Sequence, residues 1–159
     1  MRVSLFALLG LALLAVAPAR AQSDPLAAIA DADPMELARV VDRLGDDAVL
    51  SRLDEARPRE VRLAAMRASP FMGWPELALE PLAEIAASRD PLLAPAAASA
   101  ALTIARSLEP DALRRREVDP ASLSAARGLF AALSTEQRAR ADLRAVAAMI
   151  ASLLEQLGG

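Results

Sequence analysis

The chain has 159 residues, with 18 basic and 21 acidic side chains and a formal net charge of −3, so it has no basic excess with which to hold nucleic acid. It contains no Cys and no His, which excludes disulfides, thiolate nucleophiles, histidine-based triads and the usual zinc sites. Every basic residue is Arg, while Lys, Asn and Tyr are absent and Ala is abundant. A GC-rich bacterial genome accounts for this bias, so the preference for Arg does not by itself indicate phosphate recognition.

The first 21 residues have the pattern of a cleavable signal peptide. Arg2 precedes an apolar run over residues 3–18, and the small-x-small sequence that follows predicts cleavage after Ala21. The run is short for a helix that spans a bilayer. We therefore expect a periplasmic or secreted protein. The alternative is an uncleaved leader that tethers the chain to the membrane as a structural subunit.

Helix signals begin after residues 22–32, which we expect to form a flexible N-terminal segment, and no strand pattern follows. Asp33 stands where the N-cap of a first helix belongs, and Gly45 stands where a glycine ends that helix. A second helix is predicted over residues 47–56. A third helix opens after Pro58 and has apolar residues at helical spacing.

Two longer helical segments follow, each opened by proline. The first begins at Pro75 and the second at residues 90–91, which read Asp-Pro. Pro81 and Pro95 lie further inside these segments and predict either a kink or a first turn bent against the main helix. Residues 109–120 are polar and irregular, and we interpret them as a linker with at most one helical turn, at residues 112–116.

The C-terminal residues 121–159 predict a helical hairpin. Its helices are expected over residues 121–133 and 135–157, separated by Ser134, which forms a capping box pattern with Gln137. The second helix carries a continuous apolar seam formed by Leu143, Val146, Ile150, Leu153, Leu154 and Leu157.

An internal repeat with a period of about 33 residues spans the middle of the chain. The sequence RPREVRLAAMRAS from Arg57 aligns without gaps with DPLLAPAAASAAL from Asp90. Paired helices at this period indicate a solenoid of stacked hairpins, in which small side chains let neighbouring helices approach closely. The matched pairs are Pro58 with Pro91, Ala64 with Ala97, Ala65 with Ala98 and Ala68 with Ala101.

Three segments of this region resemble the HEAT-repeat family, in the short bacterial form where VR and AA precede a second helix with spaced leucines. They are residues 60–69, 79–91 and 96–105. The resemblance implies an all-α fold, with a short α-solenoid of HEAT-like hairpins over residues 33–108 capped by the C-terminal hairpin. It also implies a protein-binding scaffold, and it supplies no catalytic residues.

The stretch ASPFMGWPE at residues 68–76 contains two of the four aromatic residues, Phe71 and Trp74. It is predicted to be the turn inside the clearest repeat. The favoured interpretation is a core plug, in which both rings fold over the apolar seam, because aromatic side chains gain several kcal/mol from burial. The alternative is an exposed binding tip, because Trp is enriched in binding hot spots.

Two charged clusters are further candidates for partner binding. The acidic cluster is the i, i+4, i+8 row Glu76, Glu80 and Glu84, and the basic cluster is Arg114, Arg115 and Arg116 in the predicted linker. The acidic row is either a docking face or, as we favour, one solvated helix face. The three arginines are fewer than a lipid-binding cluster needs, although they could meet an acidic partner.

The sequence does not predict a metal or cofactor site. The pairs Asp31 with Asp33 and Asp46 with Asp47 lack the spacing of a calcium loop and are interpreted as helix-start acids. We expect no cofactor, no metal and no catalytic residues. The expected function is a non-enzymatic scaffold or adaptor of the bacterial cell envelope that binds another protein. The alternative from a different class is a hydrolase that uses paired carboxylates.

Overall fold

A computed structural model describes residues 24–29 and 32–158 of the chain, and in these residues the protein is all-helical with no strand. The predicted fold class, all-α, is confirmed at that level. The predicted signal peptide over residues 1–21 lies outside the described residues. The eight α-helices of the described part are α1 (Pro34–Leu44), α2 (Asp46–Leu50), α3 (Arg59–Ala68), α4 (Leu79–Ala86), α5 (Leu93–Ser107), α6 (Pro110–Arg115), α7 (Pro120–Thr135) and α8 (Ala141–Gly158). Short 3-10 helices lie at Ala27–Ile29, Ser69–Phe71 and Pro75–Ala78.

The first helix begins and ends where the sequence predicts. The Asp33 carboxylate accepts hydrogen bonds from the backbone N–H groups of Met35 at 2.8 Å and Glu36 at 3.0 Å. Gly45 ends α1 with a φ of 81°, a left-handed value that favours glycine. The second helix is shorter than the predicted 47–56. Asp54 accepts a hydrogen bond from the backbone N–H of Ala56, a local turn that competes with helix continuation.

The N-terminal segment, expected to be flexible, is held against the body of the protein where it is described. Leu26 is fully buried. Asp24 accepts a hydrogen bond from the backbone N–H of Leu26 at 2.9 Å and forms a 2.7 Å ion pair with Arg52. The sequence does not predict this packing, because one leucine after a capping aspartate forms no periodic apolar pattern.

The two interior prolines lie near the start of a helix and not in its middle. Pro81 and Pro95 each occupy the third position of their helices, α4 and α5. Backbone N–H groups in a first turn have no acceptor inside the helix, so proline removes no hydrogen bond there. A 3-10 turn at Pro75–Ala78 precedes α4. The predicted kink in the middle of a helix is therefore wrong for both prolines.

The turn expected at residues 112–116 within the predicted linker is the helix α6, which begins earlier, at Pro110, and buries Leu113. A proline at the first position and an apolar residue facing the core are enough to form this helix in context. Its polar composition hid the single buried position.

The predicted capping box at the C-terminal hairpin is also wrong. Helix α7 continues through Ser134 to Thr135, and α8 begins only at Ala141. The Ser134 hydroxyl donates a 2.7 Å hydrogen bond to the carbonyl of Ala131, one turn earlier in α7. Serine bonds back to a preceding carbonyl as readily as it caps a following helix, so the pattern was ambiguous.

The core of the protein is one continuous apolar cluster shared by the helices. Helix α4 packs against α5 and α7, and α8 packs against α5 and α7, so these four helices close a ring. Helix α3 packs mainly on α5. Phe130 of α7 is fully buried in this cluster. The aligned alanines of α3 and α5 are all buried, namely Ala64, Ala65, Ala68, Ala97, Ala98 and Ala101.

The predicted apolar seam of α8 faces this core. Leu143, Ile150 and Leu154 are buried, and the other predicted seam residues, Val146, Leu153 and Leu157, are partly buried against the cluster. Among the described residues, no helix combines the length and the apolar character that crossing a membrane requires.

Candidate functional site

The segment between α3 and α4 leaves the core at one edge of the protein. Phe71 is half-buried and packs against the apolar cluster, and Met72 beside it is buried. Trp74 is 43% exposed. The core-plug interpretation therefore fits Phe71 and is wrong for Trp74, whose ring lies partly in solvent.

Asp46, at the start of α2, fixes the backbone that carries Trp74. Its carboxylate accepts hydrogen bonds from the backbone N–H of Gly73 at 3.0 Å and from that of Trp74 at 2.8 Å. These bonds tie the turn to a helix that lies 27 and 28 residues earlier in the chain. The sequence predicts only a helix-start acid at Asp46, and no local pattern indicates that its carboxylate also holds the turn at Gly73 and Trp74.

Glu76 is buried, with only 1% of its side chain exposed, and the predicted solvated row is wrong at this residue. The row assumed one α-helix from residue 76 to residue 84. Glu76 lies instead in the 3-10 helix Pro75–Ala78, which has about three residues per turn and changes the direction of its side chains. Glu80 and Glu84 lie in α4 and are exposed as expected.

Arg116 joins Trp74 and Glu76. Its Nη1 lies 3.5 Å from Glu76 Oε2, and its guanidinium carbon lies 5.6 Å from the centre of the Trp74 ring, within the range of a cation–π contact. The Arg116 side chain is 40% exposed. Glu76 Oε1 is buried and has no hydrogen-bond donor among the described residues. We call Trp74, Glu76 and Arg116 the Trp74 site.

The backbone next to Arg116 is unusual. Glu117 has a φ of 53°, the only positive φ at a non-glycine residue in the described part of the chain. It ends α6, where Val118 donates a hydrogen bond to the carbonyl of Leu113 at 3.3 Å. Glycine is the usual residue in this conformation, and a non-glycine residue there costs on the order of 1 kcal/mol. The backbone at Glu117 is therefore strained, next to the Trp74 site.

The three arginines predicted as one basic cluster do not lie together on one surface. Arg114 pairs with Asp111 on the exposed side of α6. It also borders an open apolar groove of about 330 Å³ between α6, α7 and α8, together with Arg127. Arg115 is exposed, and only Arg116 reaches the Trp74 site. An α-helix has about 3.6 residues per turn, so consecutive side chains are rotated by about 100° and three consecutive arginines do not point in one direction.

The Trp74 site offers chemistry for binding: an indole face, a guanidinium and a buried carboxylate with one free oxygen. In the described ranges no three acidic side chains come together as metal ligands. No protein-family model matches the chain, and neither does any curated protein or solved structure. The resemblance to HEAT repeats therefore rests on the sequence motifs alone.

Proposed function

We propose that this chain is a non-enzymatic protein of the bacterial cell envelope that binds another protein through the Trp74 site. The observation that carries the proposal is the exposed indole of Trp74, whose backbone is fixed by the two hydrogen bonds that the Asp46 carboxylate accepts and whose ring is covered on one face by Arg116. Trp and Arg are the residues most enriched in binding hot spots. An anchor fixed before binding loses less conformational entropy when the partner arrives.

The location of the partner follows from the leader sequence. An apolar run with a small-x-small cleavage pattern supports export, so the partner would lie in the periplasm or outside the cell. The mass of the intact protein purified from the exported fraction tests this part. We expect a chain that begins at Gln22, whereas the full 159-residue mass would favour the membrane-tethered alternative.

For the architecture we propose a short HEAT-like solenoid over residues 33–108, in which α3 and α5 are the two copies of the repeat and α7–α8 is the cap. The buried alanine pairs support this proposal, as does the 2.5 Å ion pair between Arg59 of α3 and Asp90 ahead of α5. The packing of α3 mainly on α5 is the expected side-by-side contact between two copies of a repeat. An experimental structure in which α3 and α5 do not lie side by side would contradict it.

Capture from an envelope extract tests the binding function. The mature chain, its Trp74→Ala variant and its Leu92→Ala variant are immobilised, and retained proteins are identified and then titrated individually. Leu92 is the matched control because it is a large apolar side chain with 57% exposure, on the loop before α5.

We expect Trp74→Ala to weaken binding of the captured partner by at least tenfold, as a hot-spot residue would. Leu92→Ala should retain the affinity of the parent. Equal affinity of the parent and Trp74→Ala would rule out this surface as the binding site.

A further inference from the structure

The Trp74 site contains a buried carboxylate, that of Glu76, which has fewer hydrogen-bond donors than it can accept. Glu76 is 97% buried, since only 3% of the residue is exposed, yet its Oε1 receives no hydrogen bond from the described residues. Its Oε2 has one donor, Arg116, at the 3.5 Å limit of a hydrogen bond. A buried carboxylate without donors costs several kcal/mol, so folding alone gives no reason to keep it. The unfilled acceptor points to a donor supplied from outside.

The groups around Glu76 favour a cationic donor. The negative face of the Trp74 ring attracts a cation, and the Glu76 carboxylate, which lies within reach of the same guanidinium, attracts the same charge. Arg116 already occupies this position in the free protein, but it is 40% exposed and bonds one oxygen weakly. Because its outer part is solvated, the Arg116 side chain can turn fully into water once an incoming group replaces its contact with Glu76. The net charge of −3 also favours a basic partner.

We propose that the Trp74 site receives the guanidinium of an arginine side chain from the bound protein. The incoming group displaces Arg116, stacks on Trp74 and donates to both oxygens of Glu76. A planar guanidinium presents parallel N–H groups that match the two oxygens of a carboxylate, which an ammonium does not. The inference deepens the proposed function, because it names the chemistry by which the partner would be recognised.

Arg116 is, on this proposal, an internal substitute for the ligand. It shields Glu76 while the site is empty, and it competes with the arriving arginine. Removing Arg116 should therefore strengthen binding of a guanidinium. This sign is opposite to the one expected if Arg116 itself contacted an acidic partner, so one substitution distinguishes the two.

Intrinsic fluorescence tests the proposal, because Trp74 is the single Trp of the chain and reports on this site alone. The mature protein is titrated with N-acetyl-arginine amide, and with N-acetyl-citrulline amide as the neutral isostere. We expect a saturable change in Trp74 emission with the arginine probe, and at least tenfold weaker binding of the citrulline probe. No saturable response to the arginine probe, or an equal response to both, would overturn the proposal.

Two carboxylate variants locate the binding group. Glu76→Gln should weaken binding of the arginine probe at least tenfold. Glu80→Gln is the matched control, since Glu80 is an exposed carboxylate four residues away, and it should bind like the parent. Equal affinity of all three proteins would place the probe elsewhere and overturn the proposal. Thermal unfolding of each variant establishes that it is folded.

Arg116→Ala keeps the test decisive even if Glu76→Gln does not fold. We expect this variant to bind the arginine probe at least threefold more tightly than the parent, and weaker binding would overturn the proposal. The outcome is separate from that of the capture experiment. A bound probe with unchanged partner capture by Trp74→Ala would refute the proposed function and leave the arginine site standing. Lost capture without a probe response would do the reverse.

Discussion

The contact between α3 and α5 and the Trp74 site follow different physical rules. At the helix contact, small apolar side chains meet in the interior, and close packing accounts for each of them. At the Trp74 site the chain exposes an indole, buries a carboxylate and holds Glu117 in a left-handed conformation. Each of these features lowers stability, and sites that break local rules in this way are commonly sites of function. Folding alone therefore explains the side chains at the contact between α3 and α5, whereas for the Trp74 site we propose a partner.

The largest expected effect contrasts the aromatic residues of the two regions. Phe130 is fully buried, so Phe130→Ala should lower the free energy of unfolding by about 3 to 5 kcal/mol. Trp74 is 43% exposed, and Trp74→Ala should cost only about 1 to 2 kcal/mol. Denaturant unfolding followed by circular dichroism measures both. Equal losses would mean that Trp74 is a core residue and that the contrast is false.

The alanine contact is tested by enlarging its side chains. Ala65→Leu and Ala98→Leu should each lower the free energy of unfolding by about 1 to 3 kcal/mol, because both positions are buried between helices. Ala148→Leu, at an exposed position of α8, is the control and should leave stability nearly unchanged. If the two buried variants melt like the parent, the contact is looser than the structure shows.

Much of the fold could be predicted from the sequence, because its signals are local. The Asp33 cap, the Gly45 stop and the buried alanine pairs each depend on residues within a turn or on a regular spacing. Errors arose where one residue carried the signal. The helix at Pro110–Arg115 buries a single leucine, and Ser134 is compatible with two hydrogen-bond patterns, of which the structure has only the bond back to Ala131.

The Trp74 site could be predicted only as separate pieces. Trp74, Glu76 and Arg116 were each candidates, but their meeting depends on packing between residues 40 positions apart. Asp46 was missed as the residue that holds the turn, since its bonds to Gly73 and Trp74 are likewise long-range. The burial of Glu76 required knowing that its turn is a 3-10 helix, and Pro75 alone does not distinguish a 3-10 turn from an α-helical one.

A smaller effect concerns the strain beside the Trp74 site. Glu117→Gly should raise the free energy of unfolding by about 0.5 to 1 kcal/mol, because glycine adopts the left-handed conformation without a Cβ clash, although it loses more chain entropy on folding. The same substitution at exposed Glu155, in the last turn of α8, should instead lower stability, because glycine weakens a helix. A loss at position 117 would show that the Glu117 side chain contributes more than its backbone strain costs.

The smallest expected effect concerns the charge of Asp90 at the contact between α3 and α5. It tests whether charge stabilises this contact as well as the Trp74 site. Asp90 lies ahead of α5, and the backbone N–H groups of Leu93 and Leu92 hold its pKa below the usual value, with a further contribution from Arg59. A lowered pKa means that the ionised carboxylate stabilises the folded state. This stabilisation is present above the unfolded pKa, near 4, and is lost as the pH falls through the folded pKa.

We therefore expect Asp90→Ala to melt slightly below the parent at pH 7, with the difference in Tm narrowing as the pH falls below about 4. Asp90→Asn should recover most of the loss at pH 7, because an amide oxygen still accepts the two backbone hydrogen bonds that dominate the shift. If Asp90→Asn melts as low as Asp90→Ala at pH 7, the ion pair with Arg59 is the larger contribution. The helix contact would then depend on charge, and its separation from the Trp74 site would be one of degree.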